Sequence, residues 1–338
     1  GVKSHGTKRM VRYHKQIENG SINVNAKPEI VFETPVSAVI DGHGGMGHLI
    51  SIYATELAIE KAKKSGMAFV TVRNSNHFGI AGYYTKMACD QGLMGIATTN
   101  TESIMVHTNS SQAILGSNPI AFAMPAKPYP FWFDASTTVV PRGKLEVYNK
   151  ENKELEKGWT VDENGAICTD AEHSLECIND KTSSGGILPV GGAGETNGGH
   201  KGYGYGMICE LLSAITSCGA TSNHHVRIKG QGSGACHGFI VIDPKIFGDA
   251  ELIEQNLSVF LEELRSAKRV DENVPIYTHG EKEQLSLEKV MQEGIDVNIS
   301  TISEMMNICE YLGLDSKAYL GDIDVSSAKK SIYDNIYK

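Results

Sequence analysis

The stretch Val36–His77 limits what this chain can fold into more than any other. It reads V-S-A-V-I-D-G-H-G-G-M-G-H-L-I, then a helical run, then M-A-F-V-T-V-R-N-S-N-H. This predicts an apolar strand Val36–Ile40, a glycine turn, a helix over His48–Lys64 and a second strand Met67–Val72. Within the helix Leu49, Ile52, Tyr53, Leu57 and Ile59 recur at near-helical spacing, and Lys61-Ala62-Lys63-Lys64-Ser65-Gly66 closes it with cations and a glycine. Gly42, Gly44 and Gly47 fall in G-x-G-x-x-G spacing between strand and helix, where glycines let a backbone approach a pyrophosphate. A Rossmann fingerprint also requires an acidic residue at the end of the second strand to bind a ribose. Here that strand ends in Arg73-Asn74, an arginine suited instead to a 2'-phosphate, and His43-Gly44-Gly45-Met46 is atypical of the motif.

The remainder repeats one pattern, an apolar strand followed by short polar residues. Leu93–Thr98 runs into Thr99-Asn100-Thr101. Gly116-Ser117-Asn118-Pro119 precedes the strand Ile120–Met124, and Phe131–Phe133 leads into Asp134-Ala135-Ser136-Thr137-Thr138. Such turns suit hydrogen bonds to a ribose or phosphate. Arg73-Asn74-Ser75-Asn76-His77-Phe78-Gly79 sits between a buried strand and a helix over Ile80–Gln91, a place where α/β enzymes put ligand groups. Arg142-Gly143-Lys144 opens another helix. Gly185–Gly206 is dense in glycine and leads into a helix over Tyr205–Ser217, leaving His200 and Lys201 near a helix N-terminus that favours anions. Lys150–Gly165 reads as a hairpin, Cys168–Ser184 as a loop and Gly238–Ile242 as a strand. Asp249–Ser266 is an amphipathic helix with Leu252, Ile253, Leu257, Phe260, Leu261 and Leu264 on one side. At the front, Ser4 caps a helix over Lys8–Ile17, so Arg9 and Tyr13 share a face one turn beyond His5. This set reads either as a solvated basic helix or as a histidine, a guanidinium and a phenol converging on one small anion.

Several classes are excluded. The 338 residues hold enough chain for two domains, and the net charge of −9 without a basic run argues against a nucleic-acid partner. Seven cysteines without a C-x-x-C pair fit a reducing, cytoplasmic setting. No apolar run is long enough to span a membrane. No metal site is expected, since H-E-x-x-H and paired cysteines are missing and His43/His48 and His224/His225 lack a third partner. Neither a G-x-S-x-G elbow nor a Walker loop occurs. What remains, a histidine and an arginine with polar turns, suits oxidation of a 2-hydroxy acid. A histidine takes the hydroxyl proton while an arginine fork holds the carboxylate.

Taken together, Ser4-His5-Gly6, the Arg73–Gly79 run, Gly116-Ser117-Asn118-Pro119, Asp134-Ala135-Ser136-Thr137, Arg142-Gly143-Lys144, Gly199-His200-Lys201-Gly202 and Tyr277-Thr278-His279-Gly280-Glu281-Lys282-Glu283 resemble the type-2 malate/L-lactate dehydrogenase family, in the family's order. Gly191-Gly192-Ala193-Gly194-Glu195-Thr196 and the Thr278–Glu281 turn look most like its malate dehydrogenase branch. The resemblance implies a mixed α/β, non-Rossmann fold with a largely antiparallel nucleotide-binding sheet spanning 81–264. A second, substrate-side domain would combine 1–80 with 265–338, in a homodimer. It further implies NAD or NADP as cofactor and a 2-hydroxy or 2-oxo acid as substrate: malate, or alternatively L-lactate, sulfolactate or ureidoglycolate. A non-catalytic nucleotide-binding protein is the rival from another class.

By motif, Ser4 and His5 are the implied proton relay, Arg9 and Tyr13 hold the substrate carboxylate, and His77 and Lys144 line the pocket. Asn100, Ser117, Asn118, Pro119, Asp134, Ala135, Ser136, His200, Lys201, Gly202, Gly280 and Glu281 lie along the cofactor. Arg142, Lys144 and Lys201 are candidates for the cation facing a second carboxylate. The chain departs from the pattern in starting at Gly1 within a motif that the family precedes with a helical segment. It also has Ser117 where several members have threonine, and Lys144 where some imino-acid reductases place aspartate. On this reading the glycine spacing after Val36–Ile40 is a tight strand-to-helix turn, and His77 is the functional end of the stretch.

Overall fold

The computed structural model describes residues 5–180, 184–225 and 232–328. A 3-10 turn at Thr7–Arg9 feeds helix α1 (Met10–Glu18). Next come the hairpin β1 (Glu29–Thr34) and β2 (Ser37–Asp41), helix α2 (Gly47–Ser65) and strand β3 (Met67–Ser75). β2 and β3 pair in parallel, Ser37 opposite Phe69 and Asp41 opposite Arg73, so α2 is the crossover of a β-α-β unit. Ala54, Ala58 and Ala62, one turn apart and fully buried, let this helix lie close on the sheet. It stops at Gly66, whose φ of +85° turns its N–H back onto the Ala62 carbonyl.

The chain continues through α3 (Ala81–Cys89), β4 (Met94–Thr99), β5 (Met105–Val106), β6 (Ala113–Leu115), β7 (Ile120–Met124) and β8 (Phe131–Ala135). Then follow α4 (Arg142–Lys150), β9 (Thr160–Val161), β10 (Ile167–Cys168), α5 (Ala171–Asn179) and β11 (Gly186–Ile187). Helix α6 (Gly199–Glu210) runs into a π turn at Leu211–Ile215, and β12 (Ala235–Ile242), α7 (Ala250–Arg265), α8 (Glu281–Glu293), α9 (Ile299–Tyr311) and α10 (Ser316–Leu320) complete the described elements.

A seven-stranded sheet has the order β1-β2-β3-β12-β4-β7-β8 and a five-stranded sheet the order β10-β9-β11-β5-β6. Among the described strands β2/β3 and β11/β5 are parallel neighbours and the other strand pairs are antiparallel. The fold is thus mixed α/β with largely antiparallel sheets. The boundary expected at 80/81 falls along this sheet's path: β3 before it and β4 after it share β12 as neighbour. Among the described residues no helix is long and apolar enough to cross a membrane.

Three local expectations change. The loop expected over Cys168–Ser184 contains α5, started by Asp170, whose carboxylate accepts the His173 N–H at 3.0 Å. The helix expected to open at Tyr205 opens at Gly199, because Gly199, Gly202 and Gly206 share one face: a Cβ there would lie 2.0 Å from Gly192 O, 2.0 Å from Val190 O and 2.6 Å from Met105 Cε. Glycine density here serves close packing of a helix. On α7, Leu261 of the expected apolar face is buried, while Leu252, Phe260 and Leu264 are exposed.

Candidate active site

The glycine turn after β2 is built for approach. Asp41 accepts from the His43 backbone N–H, Arg73 Nε and Asn74 Nδ2, which ties the ends of the parallel strands together and holds its carboxyl below the usual range despite partial burial. Buried Asn76 donates to Gly44 O and Gly45 O, both at 2.9 Å, and accepts the Ser233 N–H. A Cβ on Gly47 would sit 2.2 Å from Asn76 O and 2.5 Å from His77 O. The first turn of α2 therefore presses on the segment carrying His77, and His48 lands beside it, ring centroids 6.4 Å apart. Gly79 leaves the room that His48 occupies: a Cβ there would meet His48 Nε2 at 2.9 Å.

Into this corner the front of the chain brings His5, stacked on His77 with centroids 5.4 Å apart, and Tyr13, whose hydroxyl is 2.7 Å from His77 Nδ1 and whose ring meets His48 edge-on. The Gly79 N–H also points at His77 Nδ1, at 3.3 Å. A backbone amide can only donate, so Nδ1 is the acceptor, Tyr13 donates, and the neutral ring carries its proton on Nε2. Burial, with Arg9 and Arg12 nearby, lowers the His5 pKa to about 4. Burial followed by Arg12, His5, Arg9 and His48 pulls His77 well below the ordinary range, and burial lowers His48. Burial raises the Tyr13 hydroxyl against the opposing pull of Arg12 and Arg9. At neutral pH this is a cluster of uncharged imidazoles and a protonated phenol under two guanidinium charges. His48 Nδ1 is buried with no hydrogen-bond partner among the described residues, an opening for a polar ligand atom.

A further histidine underpins the cluster. His237 on β12 is fully buried, bonded through Nδ1 to Thr99 Oγ1 at 2.8 Å and through Nε2 to Ser75 Oγ at 2.9 Å, and stacked on Phe78 at 4.4 Å. Burial pushes its pKa down to about 3.

The residues expected along the cofactor form a connected strip. Thr137 N–H donates to Ser117 O and Val190 N–H to Thr137 O, so Ser117-Asn118-Pro119, Ala135-Ser136 and the start of α6 with His200, Lys201 and Gly202 are neighbours. At the other end Asp134 accepts the Gly82 N–H at 2.7 Å, and Gly280, φ +94°, would put a Cβ 2.5 Å from Trp132 Cβ. The Asp134 residue keeps solvent access, yet its carboxyl against the start of α3 is pushed up to about 6, by burial first and then by Glu283. Buried Glu281 accepts the Thr278 N–H. Asn100 and Asn118 turn their amides inward to buried Glu210, which also accepts the Ser222 N–H at 3.0 Å. Beside the start of α6 a cleft lined by Thr108, Ser111, Pro189, Gly192 and Gly194 holds buried His107 Nδ1 and Thr108 Oγ1 without partners among the described residues.

The structure thus brings His5, Arg9, Tyr13 and His77 together. Ser4 lies outside the described residues. Lys144 does not join the cluster: its ammonium lies 4.5 Å above the Trp159 ring. Arg142 is held by Glu146 and Asn179, at 3.1 and 2.8 Å. Arg12 and His48 are additions that sequence reading missed. Arg12 follows Arg9 at i+3 and His48 follows the last glycine of the turn, and those positions were the available signals.

Residues 1–306 match the family model described as malate/L-lactate dehydrogenase. The chain belongs to the malate/L-lactate dehydrogenase family. It is 40% identical over 315 residues to a malate dehydrogenase of Pyrococcus horikoshii, covering 93% of this chain and 86% of that one. It is 36% identical over 324 residues to an L-sulfolactate dehydrogenase of Methanocaldococcus jannaschii, covering 95% and 88%. The crystal structure of malate dehydrogenase from Entamoeba histolytica superimposes with a TM-score of 0.87 at 35% identity, over 93% of this chain and 88% of that one. This member of the family is a hydroxy-acid dehydrogenase.

Proposed function

We propose that the protein is an NAD(P)-dependent dehydrogenase interconverting malate and oxaloacetate. The observation that carries this reading is the uncharged His5–His77–Tyr13 cluster held under Arg9 and Arg12. In this reading the nicotinamide, when bound, accepts or supplies the hydride. The polar strip and the α6 N-terminus, with His200 and Lys201 exposed on its first turn, suit an anionic cofactor. Of the residues expected along the cofactor, those that would hold it are Ser117, Pro119, Asp134, Ala135, Ser136, His200 and Lys201, which reach solvent, while buried Asn100, Asn118, Gly202, Gly280 and Glu281 would support them from behind.

His5 takes the hydroxyl proton on oxidation and returns it on reduction, with Ser4 as its relay partner. His77 Nε2–H donates to the substrate oxygen, its ring held by the Tyr13 and Gly79 bonds. Arg9 clamps the carboxylate next to the reacting carbon, and Arg12 supplies the cation for a second carboxylate, in place of Lys144 or Arg142. The same two guanidiniums help to depress the His5 pKa. A carboxylate docked on them offsets that field and lifts His5 toward working pH, so substrate binding itself tunes the base.

Initial rates with oxaloacetate, pyruvate, sulfopyruvate and oxalurate, each with NADH and NADPH, test the assignment. The expected result is fastest turnover of oxaloacetate. Equal use of pyruvate would refute a dianionic substrate, and a preference for sulfopyruvate would favour the second reading, sulfolactate, supported by the similarity to the archaeal sulfolactate enzyme. Bound NADH fluorescence with no turnover on any 2-oxo acid would leave a non-catalytic nucleotide-binding protein. The exposed Leu252, Phe260 and Leu264 stripe on α7 supports assembly as a homodimer, which light scattering after gel filtration measures.

A further inference from the structure

Glu163, His173 and Cys177 lie apart from the histidine cluster and have no role in the chemistry above. Glu163 sits in the turn between β9 and β10, while His173 and Cys177 are one turn apart on α5. Their ligand atoms converge: His173 Nε2 is 2.9 Å from Glu163 Oε2, and Cys177 Sγ is 3.8 Å from both. We propose that these three side chains bind a divalent transition-metal ion, Zn²⁺ first, with an open fourth position for water.

The geometry, donor chemistry and support all fit such an ion. Zinc bonds of about 2.3 Å to sulfur and about 2.0–2.1 Å to nitrogen and oxygen, at tetrahedral angles, put ligand atoms about 3.3–3.6 Å apart. The three measured separations lie within about half an ångström of that range, a change that side-chain rotation alone supplies. A thiolate, an imidazole and a single carboxylate select zinc or cobalt over magnesium or calcium, which take all-oxygen shells. The other nitrogen of His173, Nδ1, faces Glu176 Oε2 at 3.7 Å, the outer carboxylate that typically orients a zinc-bound histidine.

Both backbones are already fixed. Asp162 Oδ1 accepts the Asn164 and Ala166 N–H groups at 2.9 Å and shapes the Glu163 turn, and Asp170 caps α5 through the His173 N–H. Cys177 is buried, whereas Glu163 and His173 reach solvent, so an ion enters from outside and finds the sulfur behind. Binding releases the thiol proton and requires a neutral imidazole, so affinity rises with pH. The bound ion ties the β9–β10 turn to α5. The H-x-x-x-C spacing on α5 does not by itself announce a site, because the third ligand comes from a different element.

The test uses the full chain, stripped with a chelator and titrated with Co²⁺. The expected result is one equivalent bound with a thiolate-to-cobalt charge-transfer band in the near ultraviolet, bleached by Zn²⁺. Cys177→Ser abolishes the band, His173→Ala weakens binding at least tenfold, and Glu176→Gln weakens it by about 10–100-fold. Glu163→Gln, an exposed change that leaves folding intact, also weakens binding at least tenfold. Oxaloacetate reduction is unaltered in each variant. If no band develops at one equivalent, the trio is only a histidine–carboxylate ion pair beside a thiol. If the band survives in Cys177→Ser, it belongs to another cysteine; either result overturns the proposal.

Discussion

Gly47→Ala is the sharpest test of how the strand-to-helix turn builds the site. Gly47 has an ordinary φ, so adding a methyl group introduces no backbone strain of its own. The difficulty is contact. The new Cβ would meet Asn76 O at 2.2 Å and His77 O at 2.5 Å, both backbone atoms, where ordinary contact starts at 3.4 Å. The Asn76–His77 peptide must therefore retreat from α2 by roughly 1 Å, and overpacking of this kind costs about 1–3 kcal/mol. Asn76 cannot retreat without stretching its bonds to Gly44 and Gly45, so the displacement passes to the His77 ring and its stacking on His5. A 1 Å misplacement of a catalytic group costs about 100-fold in rate. The expected outcome is kcat/KM for oxaloacetate reduction down about 100-fold with a Tm only a few degrees lower. Gly204→Ala is the control: that glycine lies within α6 with nothing within 4 Å of its Cβ, so the change raises stability by about 0.5–1 kcal/mol with activity intact. If Gly47→Ala keeps kcat/KM within twofold of the parent, close packing of α2 on the His77 segment does not set the catalytic geometry.

Other changes separate the roles. Tyr13→Phe removes the hydroxyl donating to His77 Nδ1 and is expected to lower kcat about tenfold, the worth of one hydrogen bond of about 1–1.5 kcal/mol; an unchanged kcat would remove Tyr13 from the relay. For malate oxidation, in which His5 must be neutral, the acid limb of kcat/KM, which reports free enzyme, is expected near pH 4, the depressed His5 pKa, and Arg12→Leu moves it upward; in the reduction direction the same change raises KM for oxaloacetate more than for pyruvate. His237 is neutral when folded and titrates near 6.5 when unfolded, so its contribution to stability is present above about pH 6.5 and is lost as pH falls toward about 3. Urea denaturation from pH 8 to 4 is expected to show that decline, and His237→Gln to flatten it. On α7, Phe260→Glu is expected to halve the mass measured by light scattering; a monomeric mass for the parent, or an unchanged mass for the variant, would refute the proposed homodimer through that face.

Much of this was legible in the sequence where local chemistry and tertiary role agree. The β2–α2–β3 unit follows from apolar strands, helical spacing and Gly66, and each works by local rules. His5, Tyr13 and His77 were readable because polar residues stood where strand and helix ends expose them. Other features depend on partners far along the chain. That the Asn100 and Asn118 amides turn inward cannot be read from their own motifs, because Glu210, which receives both, arrives on α6 roughly a hundred positions later. His237 lies in a strand whose neighbours β3 and β4 come from the first third of the chain, so nothing beside it in sequence announces Ser75 or Thr99 as its partners. The α5 helix was hidden by treating Asp170 as a loop residue when it is a cap.

The glycine turn shows why a motif must be read by what its glycines touch. In a dinucleotide fold those positions are open so that a phosphate can approach. Here the first and third motif glycines are filled by protein, Gly42 facing Ile50 and the Asn74 carbonyl and Gly47 facing Asn76 and His77, and the intervening Gly45 faces Ala26 and Ile50. Asp41, in the strand that leads into the turn, bonds Arg73 and Asn74, which removes the guanidinium that a 2'-phosphate would need. At these positions the turn is packed by protein and draws a helix start against a strand end. Two side chains at that junction, His48 and His77, gain their proximity from it. The spacing that suggested cofactor binding therefore acts by placing imidazoles against one another.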